Sequence, residues 1–528
     1  MMSLAKKCYV PLSDLLTGLT YGNELPEVDV SGVTIDSRAV TAGDCFIALK
    51  GTVTDGAHYI KQSISAGAVV VLVDETSEVK IDRSDSAVPV VSIKNLTQSA
   101  SIIAGRFYSD PSHGLNIAAF TGTNGKTTCS HLYAQLMASV SIAGDTVKSG
   151  YIGTTGYAMA EPESNNKVNN AFTDKRSGHQ LTTPDAVAAQ RILAELANSG
   201  SRYIALEASS HSLVQHRLQA VQIDTAVFTN LSRDHLDYHQ SMENYAAAKA
   251  SLFELPSVKT AVINMDDAVG EQIITGLRAD IRLLTYSLKN QAADIYCTDI
   301  TYSASGSSAT LKTPWGSGKL KSSLLGEFNV SNLLAVIATA CAQGAVLEDC
   351  LQVVATLQAV AGRMQLMSST LQPQVIVDYA HTPDALEKAL CALKPYCGGN
   401  LWVLFGCGGN RDIGKRKEMG KVASQYADKV VITNDNPRFE APEKIAQQIL
   451  EGISGDIEVE IELDRRRAIA TSIIQAEKQD IVLIAGKGHE NYQIIENNSI
   501  AFSDQEEARA ALETAQLSGS ASIEGGIV

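Results

Sequence analysis

Gly122-Thr123-Asn124-Gly125-Lys126-Thr127-Thr128 has the chemistry of a loop that holds a nucleotide triphosphate. Glycines let backbone N–H groups turn toward phosphate oxygens, Lys126 adds a positive charge, and the Thr127 hydroxyl can reach a magnesium ion bound to those phosphates. The match to G-x-x-x-x-G-K-[ST] is incomplete: its first glycine would fall at position 120, where Phe120 stands. A glycine turn beside an incidental lysine is the bland alternative, and the strand-like and helix-like runs on either side weigh against it. Two polar clusters follow later apolar runs. YIALEA (203–208) leads into Glu207-Ala208-Ser209-Ser210-His211, with Gln215, His216 and Arg217 close behind; TAVFTN (225–230) ends in Leu231-Ser232-Arg233-Asp234-His235. Carboxylates at the carboxyl ends of strands in an open α/β sheet are placed to meet a phosphate-bound metal. Alone, Glu207 or His235 would as readily be a solvated polar residue, but the phosphate loop shifts the balance toward one metal-phosphate site. Lys249, in ENYAAAKASLF, has by its own chemistry the look of a surface helix lysine.

These groups need a scaffold. NIAAFT (116–121) predicts a short buried strand before the loop and TTCSHLYAQLMA (127–138) the helix after it. Up to about residue 110, apolar runs at 33–37, 45–50, 69–74 and 88–93 alternate with helical stretches at 57–68 and 95–108, which predicts a small α/β domain. From 111 to about 360 a larger α/β unit is expected around a parallel sheet, with antiparallel hairpins in the Gly- and Ser-broken stretch 298–325. From about 361 to 528 strand and helix repeat four times before DIVLIAG closes the sheet, predicting a doubly wound, Rossmann-like domain. The Ser- and Gly-rich tail after about Ser518 is expected to be mobile.

Composition bounds the function. A chain of 528 residues exceeds one ordinary domain, and 45% hydrophobic residues with a mean hydropathy of zero fit a globular protein. No apolar run reaches the length of a membrane span, and MMSLAKKCYVPLSDLL lacks a signal-peptide core, so stable membrane insertion is not expected. The net charge of −15, from 43 basic and 58 acidic side chains, argues against a nucleic-acid partner. Nine cysteines without a C-x-x-C pair fit reduced thiols in a cytoplasmic protein.

Taken in order, TGTNGKTT, EASSHSLVQHR, NLSRDHLDYH with AAK after it, GEFNVSN, GRMQ, VDYAHTPDALEKAL, FGCGGNRDIGKR, NDNPR and AGKGHE resemble the Mur ligase family, from Ser37 to Glu490 and so across nearly the whole chain. The resemblance implies a UDP-substrate-binding domain (1–110), an ATP-binding domain (111–360) and an amino-acid-binding domain (361–528), in a cytoplasmic and monomeric enzyme of peptidoglycan precursor synthesis. By that resemblance the UDP-sugar would meet Ile35, Ser37 and the loop Thr52-Val53-Thr54, and the muramoyl-peptide part Thr182, Thr183, Ser209, Gln215 and Arg217. ATP would meet Gly122 to Thr128, Asn332, Arg363, Asp378 and His381. Magnesium would be shared by Thr127, Glu207, His235 and Lys249, the lysine being carboxylated by carbon dioxide so that it offers oxygen to a hard cation.

The implied reaction uses ATP to convert the D-glutamate side-chain carboxylate of UDP-MurNAc-L-Ala-D-Glu into an acyl phosphate, which the amine of a third amino acid attacks. Lys126, Glu207, His235 and Lys249 would carry the catalysis. For the third amino acid, Asp435-Asn436-Pro437-Arg438 points to meso-diaminopimelate, whose distal carboxylate needs a cation. Arg438 and Arg411 supply planar donor forks, while Asp435, Gly486 and Glu490 could meet or flank the distal amine. In the resembled family the DNPR form goes with diaminopimelate, and lysine-adding relatives carry another residue in place of the arginine. Three rivals remain: the same ligase adding L-lysine, a folylpolyglutamate-synthase-like ligase, and a nucleotide switch that makes no product. The bland alternative is that Pro437-Arg438 merely starts the next helix with an exposed arginine.

Overall fold

The computed structural model describes residues 9–20, 25–51, 54–79, 87–160, 172–176, 181–303, 306–367 and 373–524, with the side chains of 172–176 and 516–524 excepted. Thr52 and Val53 lie outside the described residues. Three α/β sheets succeed one another along the chain.

In the first, Gly32–Thr34, Asp44–Ala48, Val70–Asp74 and Val90–Ile93 pair parallel in chain order. Continuous apolar runs such as CFIA and VVLV suit strands covered on both faces, and the two central strands are buried along nearly their whole length. Leu96, Ala100 and Ile103 of helix Leu96–Phe107 pack on one face together with Ala186 and Val187 of helix Ala186–Asn198, so this core runs into the next unit.

The second sheet has eleven strands, and Asn116–Thr121 lies inside it, parallel to Ser201–Glu207 on one side and Thr225–Phe228 on the other. Register decides what happens at its carboxyl edge. Glu207 pairs with Phe120 and Phe228 with Thr121, so both polar clusters emerge level with the phosphate loop. Helix Lys126–Ser139 follows the loop and is buried almost all round, against helix Glu327–Ala342 among other neighbours. The predicted hairpins are present as the antiparallel strands Ile295–Ser303, Gly306–Thr313 and Gly316–Ser322.

The third sheet contains five parallel strands in the spatial order Gln374–Asp378, Ile481–Ala485, Leu401–Phe405, Lys429–Ile432 and Glu458–Ile461, with Gln365–Leu366 antiparallel at one edge. The last strand in sequence thus inserts between the first two, and DYAHTPD, AGKGHE, GCGGNRD and DNPR all leave from one carboxyl edge. Ligands bind at such edges in open α/β sheets. The tail departs from expectation: helix Asp504–Glu524 runs through Ser518. Its start is anchored by Asp504, which forms a fully buried two-pronged ion pair with Arg465 at 2.7 and 2.8 Å.

Candidate active site

The phosphate loop is shaped by contacts that only glycine allows. At Gly122 (φ 152°) a Cβ would fall 1.9 Å from Thr229 Oγ1, and at Gly125 (φ 87°) 2.6 Å from Asn332 Oδ1. Thr229 Oγ1 donates to the Asn124 carbonyl at 2.6 Å, and Asn124 N–H donates to Asn230 Oδ1 at 2.9 Å, pinning the loop to the neighbouring strand end. Lys126 folds back across the loop and donates to the carbonyls of Gly122 and Thr123, both at 2.9 Å. Burial lowers the pKa of its ammonium.

Glu207 is fully buried beside this loop. Its carboxylate accepts from Thr127 Oγ1 at 2.8 Å, from Thr154 Oγ1 at 3.0 Å and from Thr154 N–H at 2.8 Å. Neither Thr154 nor Gly153 stood out in the sequence. A Cβ on Gly153 would lie 2.0 Å from Glu207 Oε1, so the carboxylate occupies space that only a glycine leaves free. The available signal was YIGTTG, another buried strand running into small polar residues.

Lys249 is not the surface lysine its local sequence suggests: it is 1% exposed. Its Nζ donates to the Gly122 carbonyl at 2.7 Å, the oxygen that Lys126 also uses, and lies 4.3 Å from the centre of the Tyr245 ring. Burial, reinforced by Lys126, holds its pKa well below the ordinary lysine value. His235 sits nearby in a left-handed conformation (φ 54°), with burial lowering its pKa to about 3. Asp234 stands between two imidazoles, 3.5 Å from His235 Nε2 and 3.7 Å from His381 Nε2 of the third unit. Among the described residues no three His, Cys, Asp or Glu side chains form a ready-made metal cluster.

The hydroxyl of Thr183 links the neighbouring polar groups. It donates to the Glu207 carbonyl at 2.6 Å, lies 3.1 Å from Ser209 Oγ and accepts from Ser209 N–H at 3.0 Å. Arg217 donates to the Thr183 carbonyl at 2.8 Å and grips Gln215 Oε1 at 2.6 and 3.0 Å, while Thr182 Oγ1 is 3.2 Å from Thr154 Oγ1. These four residues and Ser209 therefore form one surface continuous with Glu207. Ile35, Ser37 and Thr54 belong to the first sheet's loops; Ser37 is buried, and the Thr54 carbonyl accepts from Gly51 N–H at 2.9 Å.

The third unit meets the loop directly. Arg363 Nη2 donates to Thr127 Oγ1 at 3.3 Å while its guanidinium stacks 4.3 Å from the centre of the Tyr379 ring, and Asn124 Nδ2 donates to Asp384 at 2.9 Å. The Asp378 carboxylate accepts from the backbone of Met364 at 2.7 Å and Ala380 at 2.8 Å, while burial raises its pKa. Between the second and third units lies a cavity of about 530 Å³, lined by Gly125, Thr128, Asn332, Arg363 and Asp378 among others. Its size and walls suit a nucleotide.

Beyond it, Arg438 is half-buried and has φ 53°. The following helix starts at Pro442, so Arg438 is not an exposed residue at a helix start. Its Nη1 donates to the Gly409 carbonyl at 2.9 Å. Arg411 lies close enough to lower the pKa of Arg438, second to burial, and reaches Asp237 of the middle unit at 4.0 Å. Asn436 donates to Glu490 at 3.0 Å, and buried Lys487 joins them, 3.2 Å from Asn436 Oδ1 and 2.8 Å from Glu490 Oε2. A Cβ on Gly486 (φ 116°) would fall 2.8 Å from Asp435 Oδ2. Two arginines and two carboxylates thus gather near one sheet edge, close enough to influence one another's charge.

A phosphate loop with a buried acid beside it, and a second α/β sheet bringing an arginine onto that loop, define a nucleotide-dependent enzyme built from several α/β units. The chain matches the Mur ligase family, catalytic domain, over residues 29–108, the Mur ligase middle domain over 120–340, and the Mur ligase, glutamate ligase domain over 362–488. The chain belongs to the Mur ligase family. A relative from Coxiella burnetii called UDP-N-acetylmuramoyl-L-alanyl-D-glutamate--2,6-diaminopimelate ligase is 43% identical over 490 residues, covering 92% of this chain and 96% of its own. A Pseudomonas aeruginosa protein of the same name is 44% identical over 480 residues, covering 91% and 94%. A solved structure bearing that name is 37% identical, covers 96% of this chain and 100% of its own, and superposes with a TM-score of 0.66.

Proposed function

We infer that this chain ligates meso-2,6-diaminopimelate to UDP-N-acetylmuramoyl-L-alanyl-D-glutamate at the expense of ATP, in the cytoplasmic assembly of peptidoglycan precursors. The observation that carries the choice of amino acid is the gathering of Arg438 and Arg411 near Asp435 and Glu490, charges that suit a distal carboxylate and a distal amine together. The relatives' shared name supports the same reading. Residues 1–110, 111–360 and 361–528 serve as UDP-substrate, ATP and amino-acid domains of a monomer.

An unactivated carboxylate is a poor acyl donor, so the D-glutamate carboxylate first takes the γ-phosphoryl group of ATP. The amine of diaminopimelate then attacks the acyl phosphate, a tetrahedral intermediate forms, and inorganic phosphate leaves as the amide closes. The protein's part is positioning and charge neutralisation. Lys126 and Arg363 flank the phosphate loop from opposite units and would stabilise the transferred phosphoryl group. Thr182, Thr183, Ser209, Gln215 and Arg217 would orient the dipeptide, and Ile35, Ser37 and the loop ending at Thr54 the UDP-sugar. Asn332 and Asp378, on the cavity wall, would meet the base and ribose, with His381 beside them.

The donor set fits magnesium: a hydroxyl and a carboxylate, Thr127 and Glu207, already lie 2.8 Å apart, and hard cations held by few protein ligands take the rest from phosphates and water. His235 and a carboxylated Lys249 would complete the set. As an amine Lys249 donates a hydrogen bond and offers the cation nothing. Burial and the nearby Lys126 charge both disfavour its protonated form, the amine is the form able to add to carbon dioxide, and the resulting carbamate would supply oxygen. When bound, magnesium would draw charge from the phosphates and the transferring phosphoryl group.

Arg438→Ala tests the amino-acid assignment. Loss of a desolvated charge pair costs about 2 to 5 kcal/mol, so the KM for diaminopimelate should rise steeply while those for ATP and the UDP substrate change little. An unchanged KM for diaminopimelate would contradict the assignment. A nucleotide switch predicts phosphate release without both other substrates, and a folylpolyglutamate-synthase-like ligase predicts no ligation on the UDP-muramoyl dipeptide.

A further inference from the structure

Arg411 and Arg438 sit on different loops, 406–413 and 433–441, and the Arg411 charge disfavours that of Arg438. Like charges on neighbouring loops repel each other, an effect that Asp435 and Glu490 offset at Arg438, and Arg438 is also in a left-handed backbone conformation that a long side chain disfavours. Something else must hold these loops at a fixed spacing.

Arg416 and Glu440 occupy that position, and neither has a place in the substrate contacts above. Arg416, early in helix Gly414–Tyr426, has a fully buried side chain. Its Nη1 and Nη2 donate to the two carboxylate oxygens of Glu440 at 2.8 and 2.9 Å, Nη2 also to the Gly408 carbonyl at 3.0 Å, and Nη1 to Gln448 Oε1 at 2.6 Å. Glu440 accepts in addition from the backbone N–H of Asn410, next to Arg411. The guanidinium holds the Glu440 carboxylate down to a pKa of about 2, so the pair stays ionised at neutral pH. Two further bonds lace the same loops: Gly409 N–H to the Asn436 carbonyl at 2.9 Å, and Phe439 N–H to the side-chain Oδ1 of Asn410 at 3.2 Å.

We propose that the buried Arg416–Glu440 pair is a positioning clamp that fixes the spacing of the Arg411 and Arg438 guanidiniums, and so sets the enzyme's selectivity for an amino acid with a distal carboxylate. It joins the turn one residue before Arg411 to the residue two beyond Arg438, through a planar fork that only one relative orientation of the loops satisfies. The clamp rests on the amino-acid assignment above and deepens it.

The test compares Glu440→Gln with the double variant Arg416→Gln/Glu440→Gln, in which no unpaired charge remains buried and folding is therefore safeguarded. Steady-state constants are measured for diaminopimelate, ATP and UDP-MurNAc-L-Ala-D-Glu, and kcat/KM for diaminopimelate against L-lysine. The clamp predicts a rise of about tenfold to hundredfold in the KM for diaminopimelate, on the scale of a misplaced binding group, with the other two KM values within about twofold. It also predicts a comparable narrowing of the preference over lysine. A diaminopimelate KM unchanged in a folded double variant, or all three KM values rising together, overturns the clamp while leaving the amino-acid assignment standing. Equal use of lysine and diaminopimelate by the unmutated enzyme overturns both.

Discussion

Two lysines converge on one backbone oxygen, the Gly122 carbonyl, and their fates must differ. Burial lowers the pKa of both, with Arg363 lowering that of Lys126 further and the Lys126 charge lowering that of Lys249, which falls furthest. Lys126, on the loop itself, stays the partner of phosphate charge. Lys126→Ala should therefore nearly abolish turnover while leaving UDP-substrate affinity intact, as read by kcat and by direct titration with the UDP-dipeptide; equal losses in both would show that the roles are wrongly divided. Lys249→Ala should be inactive and regain part of its activity with small carboxylic acids, which replace the missing oxygen ligand. Near-normal activity of the unsupplemented variant would remove Lys249 from the mechanism.

At the scale of elements, strand register does most of the positioning. Glu207 and Phe120 are paired neighbours in adjacent parallel strands, so the acid must emerge beside the loop that follows Phe120 and Thr121. Strand Lys148–Gly153 brings Gly153 and then Thr154 against the same carboxylate. Gly153→Ala should push the Glu207 carboxylate aside, and a displacement of about 1 Å costs about a hundredfold in kcat. Stopped assays for phosphate release, with thermal unfolding alongside, measure this, and full activity would show that the close approach does not matter. The strands themselves were legible, since buried runs such as NIAAFT, YIALEA and IVLIA read as strands flanked by turn-forming residues. The hairpins were legible too, from their Gly and Ser breaks. Thr154 was not: its hydrogen-bond partner is 53 residues away, and nothing local marks a threonine after a strand as a carboxylate's donor. Lys249 was legible only through resemblance, because AAAKA has the composition of an exposed helix while its surroundings are set by Tyr245 and the distant loop. The extended final helix escaped notice because Gly and Ser in its sequence disfavour helix, and the anchoring Arg465–Asp504 pair is a tertiary contact.

For the whole molecule, catalysis requires that groups from separate sheets meet. Arg363 on Thr127, Asp384 on Asn124, His381 on Asp234 and Asp412 on Arg233 at 3.3 Å are contacts of the third unit with the loop edge of the second. The large cavity lies between the same two units, so a nucleotide bound there would border both. On the proposed reading this arrangement would let phosphoryl transfer and amide formation share one enzyme: the acyl phosphate would be made at the middle unit's edge and met there by an amine held on the third. The central claim is that this amine belongs to meso-diaminopimelate. Its most direct test is a competition in which the purified chain, ATP, magnesium and UDP-MurNAc-L-Ala-D-Glu are given equal meso-diaminopimelate and L-lysine, and the products are resolved by mass. The account predicts that nearly all product carries diaminopimelate, with one phosphate released per amide formed; product divided equally between the two amino acids, or phosphate release without amide, would contradict it.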